Sequence, residues 1–127
     1  MARVLQNYVG GGFLASASGE TFENRDPATG ELISNVEVAL EPEIDAALQS
    51  AKQGLAVWAE MSGAERGRVL NKAARILRDR NRELAECEVR DTGKPIQEAE
   101  VVDVVSGADC VEYFAGLAAT LHGEQIA

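Results

Sequence analysis

The spacing of apolar residues along the chain changes near residue 40. Before that point the apolar runs are short and separated by glycine-rich or proline-containing breaks. Tyr8-Val9 leads into Gly10-Gly11-Gly12, Phe13-Leu14 follows, and Ser16-Ala17-Ser18-Gly19 offers a second turn. Thr21–Asn24 alternates like a strand until Asp26-Pro27-Ala28-Thr29-Gly30 breaks it. Residues 31–38 form a second strand, whose later part alternates at period two, the mark of one covered and one wet face.

After residue 40 the period is helical, and the pattern predicts three helices over 41–121. The first begins near Pro42 and carries the stripe Ile44, Leu48, Ala51, Leu55 and Trp58. The second opens on the capping box Ser62-Gly63-Ala64-Glu65, with a stripe of Val69, Ala73, Ile76 or Leu77, Leu84 and Cys87. Asp91-Thr92-Gly93-Lys94-Pro95 stops it. The third begins at Pro95, carries Ala99, Val102, Val105, Phe114, Leu117 and Leu121, and ends at His122-Gly123. Val101, Val104, Val111 and Ala118 widen its apolar surface, which predicts that another element packs there. The chain reads as a single partial domain over 1–127: strands and turns over 1–40, helices over 41–121, and a tail at 122–127. The fold class is α+β, since no strand follows the third helix to start a parallel sheet.

Composition narrows the function classes. The chain has 127 residues, 12 Lys+Arg against 21 Asp+Glu, and a formal net charge of -9. That charge opposes nucleic-acid binding, which needs a basic footprint, and an anionic membrane surface would repel it. No run is long enough for a membrane span, and the N-terminus lacks an apolar signal core. Cys87 and Cys110 are the only cysteines and have no Cys-x-x-Cys spacing, so a reduced, cytoplasmic setting fits.

Chemistry is sparse. Gly10-x-Gly12-x-x-Ala15 matches a dinucleotide fingerprint in letters, but it lacks the preceding strand and following helix that bring helix amides to a pyrophosphate. Cys87 sits among Glu83, Glu86 and Glu88, and Cys110 beside Asp109 and Glu112, a poor setting for a nucleophile; small buried helix residues are the favoured reading. His122 suits a helix end. The arginines of the second helix read as a solvated face rather than a phosphate site. Asp91 lies in a helix break, close in sequence to free helix carbonyls, where a carboxylate suits either a hard cation or a turn-capping role.

Val9-Gly10-Gly11, Asp26-Pro27-Ala28-Thr29-Gly30-Glu31, Glu65-Arg66 and Asp91-Thr92-Gly93-Lys94-Pro95 together resemble the N-terminal part of the aldehyde dehydrogenase superfamily. Asp91–Pro95 with Asp103, Gly107-Ala108-Asp109, residues 112–116 and residues 123–126 look most like its betaine aldehyde dehydrogenase branch. The resemblance covers the whole chain. It implies an N-terminal segment without the family's Rossmann sheet, from an enzyme that oxidises betaine aldehyde to glycine betaine with NAD as hydride acceptor. The family's catalytic cysteine, glutamate, asparagine and cofactor loops match nothing here, so no catalytic or cofactor-binding residue is assigned, and the chain alone is expected to be inactive and not to bind NAD.

The resemblance also implies a potassium ion, with ligands at Asn24, Arg25 and Asp91. Arg25 replaces a usual apolar residue and Arg90 a usual leucine. The partner implied is the remainder of a dehydrogenase subunit or a homo-oligomer, with no nucleic acid and no membrane. The alternative reading is a non-catalytic helical interaction module, or a truncated gene product, that packs on a dehydrogenase subunit.

Overall fold

The computed structural model describes residues 3–123 and 125–126. Met1 and Ala2, and Glu124 and Ala127 of the expected tail, lie outside the described residues. The order is β1 (Arg3–Leu5), β2 (Asn7–Val9), β3 (Gly12–Leu14), β4 (Thr21–Arg25), β5 (Leu32–Glu37), α1 (Glu41–Glu60), α2 (Gly63–Asp79), α3 (Asn81–Thr92), α4 (Ile96–Glu98), a π-helical turn (Ala99–Asp103) and α5 (Val104–Leu117). The α+β class expected from the sequence is the one observed. The chain divides into two compact units. One contains the residues up to Val57 with Arg90–Gly93; the other contains Trp58–Val89 and the chain from Lys94 onward.

In the first unit, β1, β5 and β4 form a mixed sheet in that order. β1 runs parallel to β5 with Leu5 beside Val36, and β4 runs antiparallel with Phe22 beside Val36. β2 and β3 form a separate hairpin. Its turn residues Gly10 and Gly11 have φ of 62° and 86°, the positive pair that a tight two-residue hairpin turn requires. The residue of α1 buried here is Glu43, which accepts the Ala17 and Leu40 N–H groups, each at 2.8 Å. Those two amide bonds hold its carboxyl below the ordinary carboxylate value. The stripe expected to be covered is open: Ile44, Leu48 and Leu55 are 51%, 54% and 64% exposed. The rotation of α1 that buries Glu43 and half-buries Ala46 and Ser50 leaves the bulky face outward.

The second unit corrects the three-helix expectation. The second helix breaks at Arg80, where φ of -105° and ψ of 17° leave the helical region, and α3 restarts at Asn81. Of the expected stripe, Val69, Ala73, Ile76 and Cys87 are exposed, while Leu77, the alternative to Ile76, and Leu84 are half-buried; the fully covered positions lie beside it, at Gly67 and Ala74, with Leu70 half-buried. The reason is backbone proximity. A Cβ on Gly63 would lie 2.1 Å from the Ala118 carbonyl oxygen, and one on Gly67 would lie 2.7 Å from that of Ala115. Small residues let α2 and α5 approach more closely than Val69 or Ile76 would allow.

The third helix is interrupted by the π turn, in which the Val104 N–H reaches the Ala99 carbonyl. The extra residue rotates the later stripe by one position. Ala99 is buried and Val105 half-buried as expected, but Val102 is exposed, Asp103 and Val104 are half-buried, and Ala108 is buried. The helix ends at Leu117, before the expected His122-Gly123. Among the described residues the buried apolar side chains are all alanines: Ala74, Ala85, Ala99, Ala108 and Ala115. Among the described residues no helix is long and apolar enough to cross a membrane.

Candidate functional site

The site begins with two turns. The Asp26 carboxylate accepts the N–H groups of Ala28 at 2.8 Å and Thr29 at 3.2 Å, and the Asp26 carbonyl accepts that of Gly30 at 2.7 Å. This side chain mimics a backbone turn partner, which explains why aspartate opens the Asp-Pro-Ala-Thr-Gly sequence. Gly93, with φ of 74°, ends the turn after α3, where a side chain is strained and where a Cβ would lie 2.9 Å from Cγ of Pro27. Glycine here lets the two turns touch within the first unit.

That approach joins residues far apart in sequence. Nδ2 of Asn24 donates to Oδ1 of Asp91 at 2.7 Å. The β4–β5 register shifts between Asn24, opposite Ser34, and Arg25, opposite Leu32, so Ile33 is the extra residue and β5 bulges across from this part of β4. Arg25 points its charge elsewhere: its guanidinium pairs with Glu23 at 2.8 Å and donates to the Gly30 carbonyl at 2.9 Å. The structure therefore brings Asn24 and Asp91 into direct contact and sets Arg25 beside them. The Asp91 carboxylate and the backbone carbonyls of Asn24 and Arg25 are hard oxygen donors, while the Asn24 amide turns its nitrogen to Asp91. Among the described residues there is no group of three or more His, Cys, Asp or Glu side chains able to hold a metal.

The Asp-Thr-Gly-Lys-Pro segment is divided between the units, Asp91–Gly93 in the first and Lys94 in the second. Nζ of Lys94 bonds to Glu88 at 2.9 Å and to Asp103, all three side chains being about one-third exposed. The bond to Asp103 and then that to Glu88 raise the Lys94 pKa above its usual value. This cluster is not readable from local pattern, because its acids lie six residues before and nine after Lys94, spacings that match no single helix face.

The remaining expectations have definite places. Gly10 and Gly11 form a hairpin turn and Gly12 opens β3, so a strand and not a helix follows the loop. Cys87 and Cys110 are exposed rather than buried, because Ala85 and Ala108 take the inward positions on their helices. Nδ1 of His122 lies 2.6 Å from the Thr120 carbonyl oxygen. Ser62 and Glu65 form the expected capping box, with the Ser62 N–H donating to Glu65 at 2.8 Å.

Comparison with known proteins extends this geometry. The profile of the aldehyde dehydrogenase family matches residues 13–127. A Vibrio vulnificus protein called betaine aldehyde dehydrogenase is 55% identical over 122 residues, covering 96% of this chain and 25% of the relative. The structure of PnpE in complex with nicotinamide adenine dinucleotide gives a TM-score of 0.93 at 34% identity, over 97% of this chain and 25% of that one. An NAD+ complex of aldehyde dehydrogenase from Bacillus cereus gives 0.92 at 33% identity, over 98% and 26%. The chain thus spans about a quarter of the length of these relatives. With its strands, helices and both turn motifs covered by these matches, the chain belongs to the aldehyde dehydrogenase family.

Proposed function

We propose that this chain serves as the N-terminal segment of an NAD-dependent betaine aldehyde dehydrogenase, which converts betaine aldehyde to glycine betaine, an osmoprotectant, and that the chain alone is inactive. The observation that carries the reading is the 55% identity with the Vibrio vulnificus relative across 96% of this chain. NAD would supply hydride acceptance in the whole enzyme. The glycine-rich loop of this chain does not fit it, being a hairpin turn with no helix amides to meet a pyrophosphate. Its contribution is scaffolding. The exposed Ile44, Leu48 and Leu55 of α1 would pack on the remainder of a dehydrogenase subunit.

Asn24 and Asp91 would hold a potassium ion, with Arg25 contributing its backbone carbonyl only. The Asn24–Asp91 contact and the bulge beside it support this, and the Arg25–Glu23 pair draws the guanidinium charge away. A bound potassium ion would tie the turn after β4 to the end of α3.

The test is a chimera in which this chain replaces the corresponding segment of the Vibrio vulnificus relative. NADH formation from betaine aldehyde is expected in the chimera and not in the chain alone. A folded chimera without that activity, or NADH made by the chain alone, overturns the reading. In the same chimera, potassium in place of sodium is expected to raise the melting temperature, and Asp91→Ala to remove the difference; equal melting in both salts rules out the ion. The exposed α1 face equally suits a non-catalytic module that docks on a dehydrogenase subunit. A cooperative, monomeric melt of the chain without partner, together with an inactive chimera, would favour that second reading.

A further inference from the structure

We propose that the α2 face carrying Arg68, Asn71, Arg75 and Arg78 binds a small phosphate-type dianion. Spacings of three, four and three residues place these four side chains within about 80° around the helix. With Glu112 of α5 they line an open concavity of about 530 Å³. Its volume is in the range of small-ligand pockets.

The charges within it are unequal in commitment. Arg78 is held from α5 by Asp109 at 2.7 Å and Glu112 at 2.6 Å, so both acids are engaged by one guanidinium. Those bonds raise the Arg78 pKa further and fix its position at one end. Arg75 and Asn71 have no hydrogen-bond or ion-pair partner among the described residues. Arg68 feels Glu65, but the Glu65 carboxylate is bonded to Ser62 in the capping box. Two guanidinium forks and an amide thus face the concavity with donors to spare.

The class of ligand follows from charge and donor geometry. α2 holds five basic and two acidic residues, within a chain of net charge -9. A long polyanion or an anionic bilayer would meet the repulsion of the rest of the chain, whereas a small anion meets only the local positive field. Guanidinium forks pair bidentately with phosphate or carboxylate. A tetrahedral dianion offers more acceptor oxygens than a carboxylate, enough for Arg68, Arg75 and the Asn71 amide together.

The test is calorimetric titration of the full chain at low ionic strength with inorganic phosphate, glycerol 3-phosphate and acetate. Saturable binding of the two phosphates is expected, with acetate weaker by about tenfold or more. Tighter binding of glycerol 3-phosphate than of inorganic phosphate assigns the site to phosphate esters; equal binding assigns it to free phosphate. Arg75→Gln and Arg68→Gln are each expected to weaken binding about tenfold at unchanged helicity, with Arg75→Lys between the two. Lys72→Gln removes the same charge from the neighbouring face and is expected to change affinity less than about twofold. Absence of saturation, equal binding of acetate, or equal losses in Lys72→Gln and Arg75→Gln would overturn the proposal.

Discussion

Helices α1 and α2 differ in what they bury. α1 carries the stripe Ile44 to Trp58 at alternating four- and three-residue steps, and that stripe is exposed. α2 buries Gly67 and Ala74 against α5 and leaves Val69 and Ile76, 46% and 45% exposed, outside. Bulk favours burial in general, because more apolar area leaves water. Close approach of two helices is decided instead by whether their backbones can meet, and only small residues permit that. A bulky stripe left open therefore marks a surface that requires cover, whereas glycines at four-residue spacing mark the contact already made.

The sharpest way to break this comparison is one substitution made twice. Gly67→Ala places a methyl 2.7 Å from a backbone oxygen and is expected to destabilise the chain by about 2 kcal/mol in urea unfolding. Gly54→Ala on α1 meets nothing within 4 Å and is expected to stabilise by about 0.5–1 kcal/mol through helix propensity. Effects of the same sign would mean that backbone proximity does not govern α2.

Smaller effects are expected on the exposed stripe. Leu48→Gln and Leu55→Gln should each change the stability of the chain by less than about 0.5 kcal/mol, while lowering self-association measured by size-exclusion chromatography. A loss of about 2 kcal/mol would show that the stripe is already packed. The smallest effect concerns the polar side of α1. Glu43 is ionised in its amide-bonded state and its carboxyl is held below the ordinary value. Its contribution is fully present above the unfolded carboxylate range and disappears as pH falls through the lowered folded value. Melting temperatures of parent and Glu43→Gln should therefore differ at neutral pH and converge in acid; a constant gap would place the effect in packing.

Much of the candidate site was legible. Asp26, Pro27 and Gly30 announce a turn because one side chain replaces a backbone partner and one glycine takes positive φ. The helix break after Asp91 was legible for the same reason, since Gly93 takes φ of 74° before Pro95. The contact between Asn24 and Asp91 was not readable from spacing, being 67 residues long-range. Nor was the bulge at Ile33 of β5, opposite Asn24 and Arg25, which depends on pairing with β4. The resemblance placed these three residues together where local pattern had no means to do so.

Local chemistry by itself determined the α+β order, the strand-to-helix change near residue 40, the Ser62 capping box and the glycine turns, because each depends on neighbours within a few residues. Tertiary structure decided which helix face is inside, the break at Arg80, the π turn at Ala99–Asp103 and the Lys94 cluster. Those depend on how closely backbones approach and on pairing charges distant in sequence, quantities that hydrophobic period does not encode. The two cysteines show the distinction within single residues: helical pattern located them, and the alanines packed beside them turned them outward.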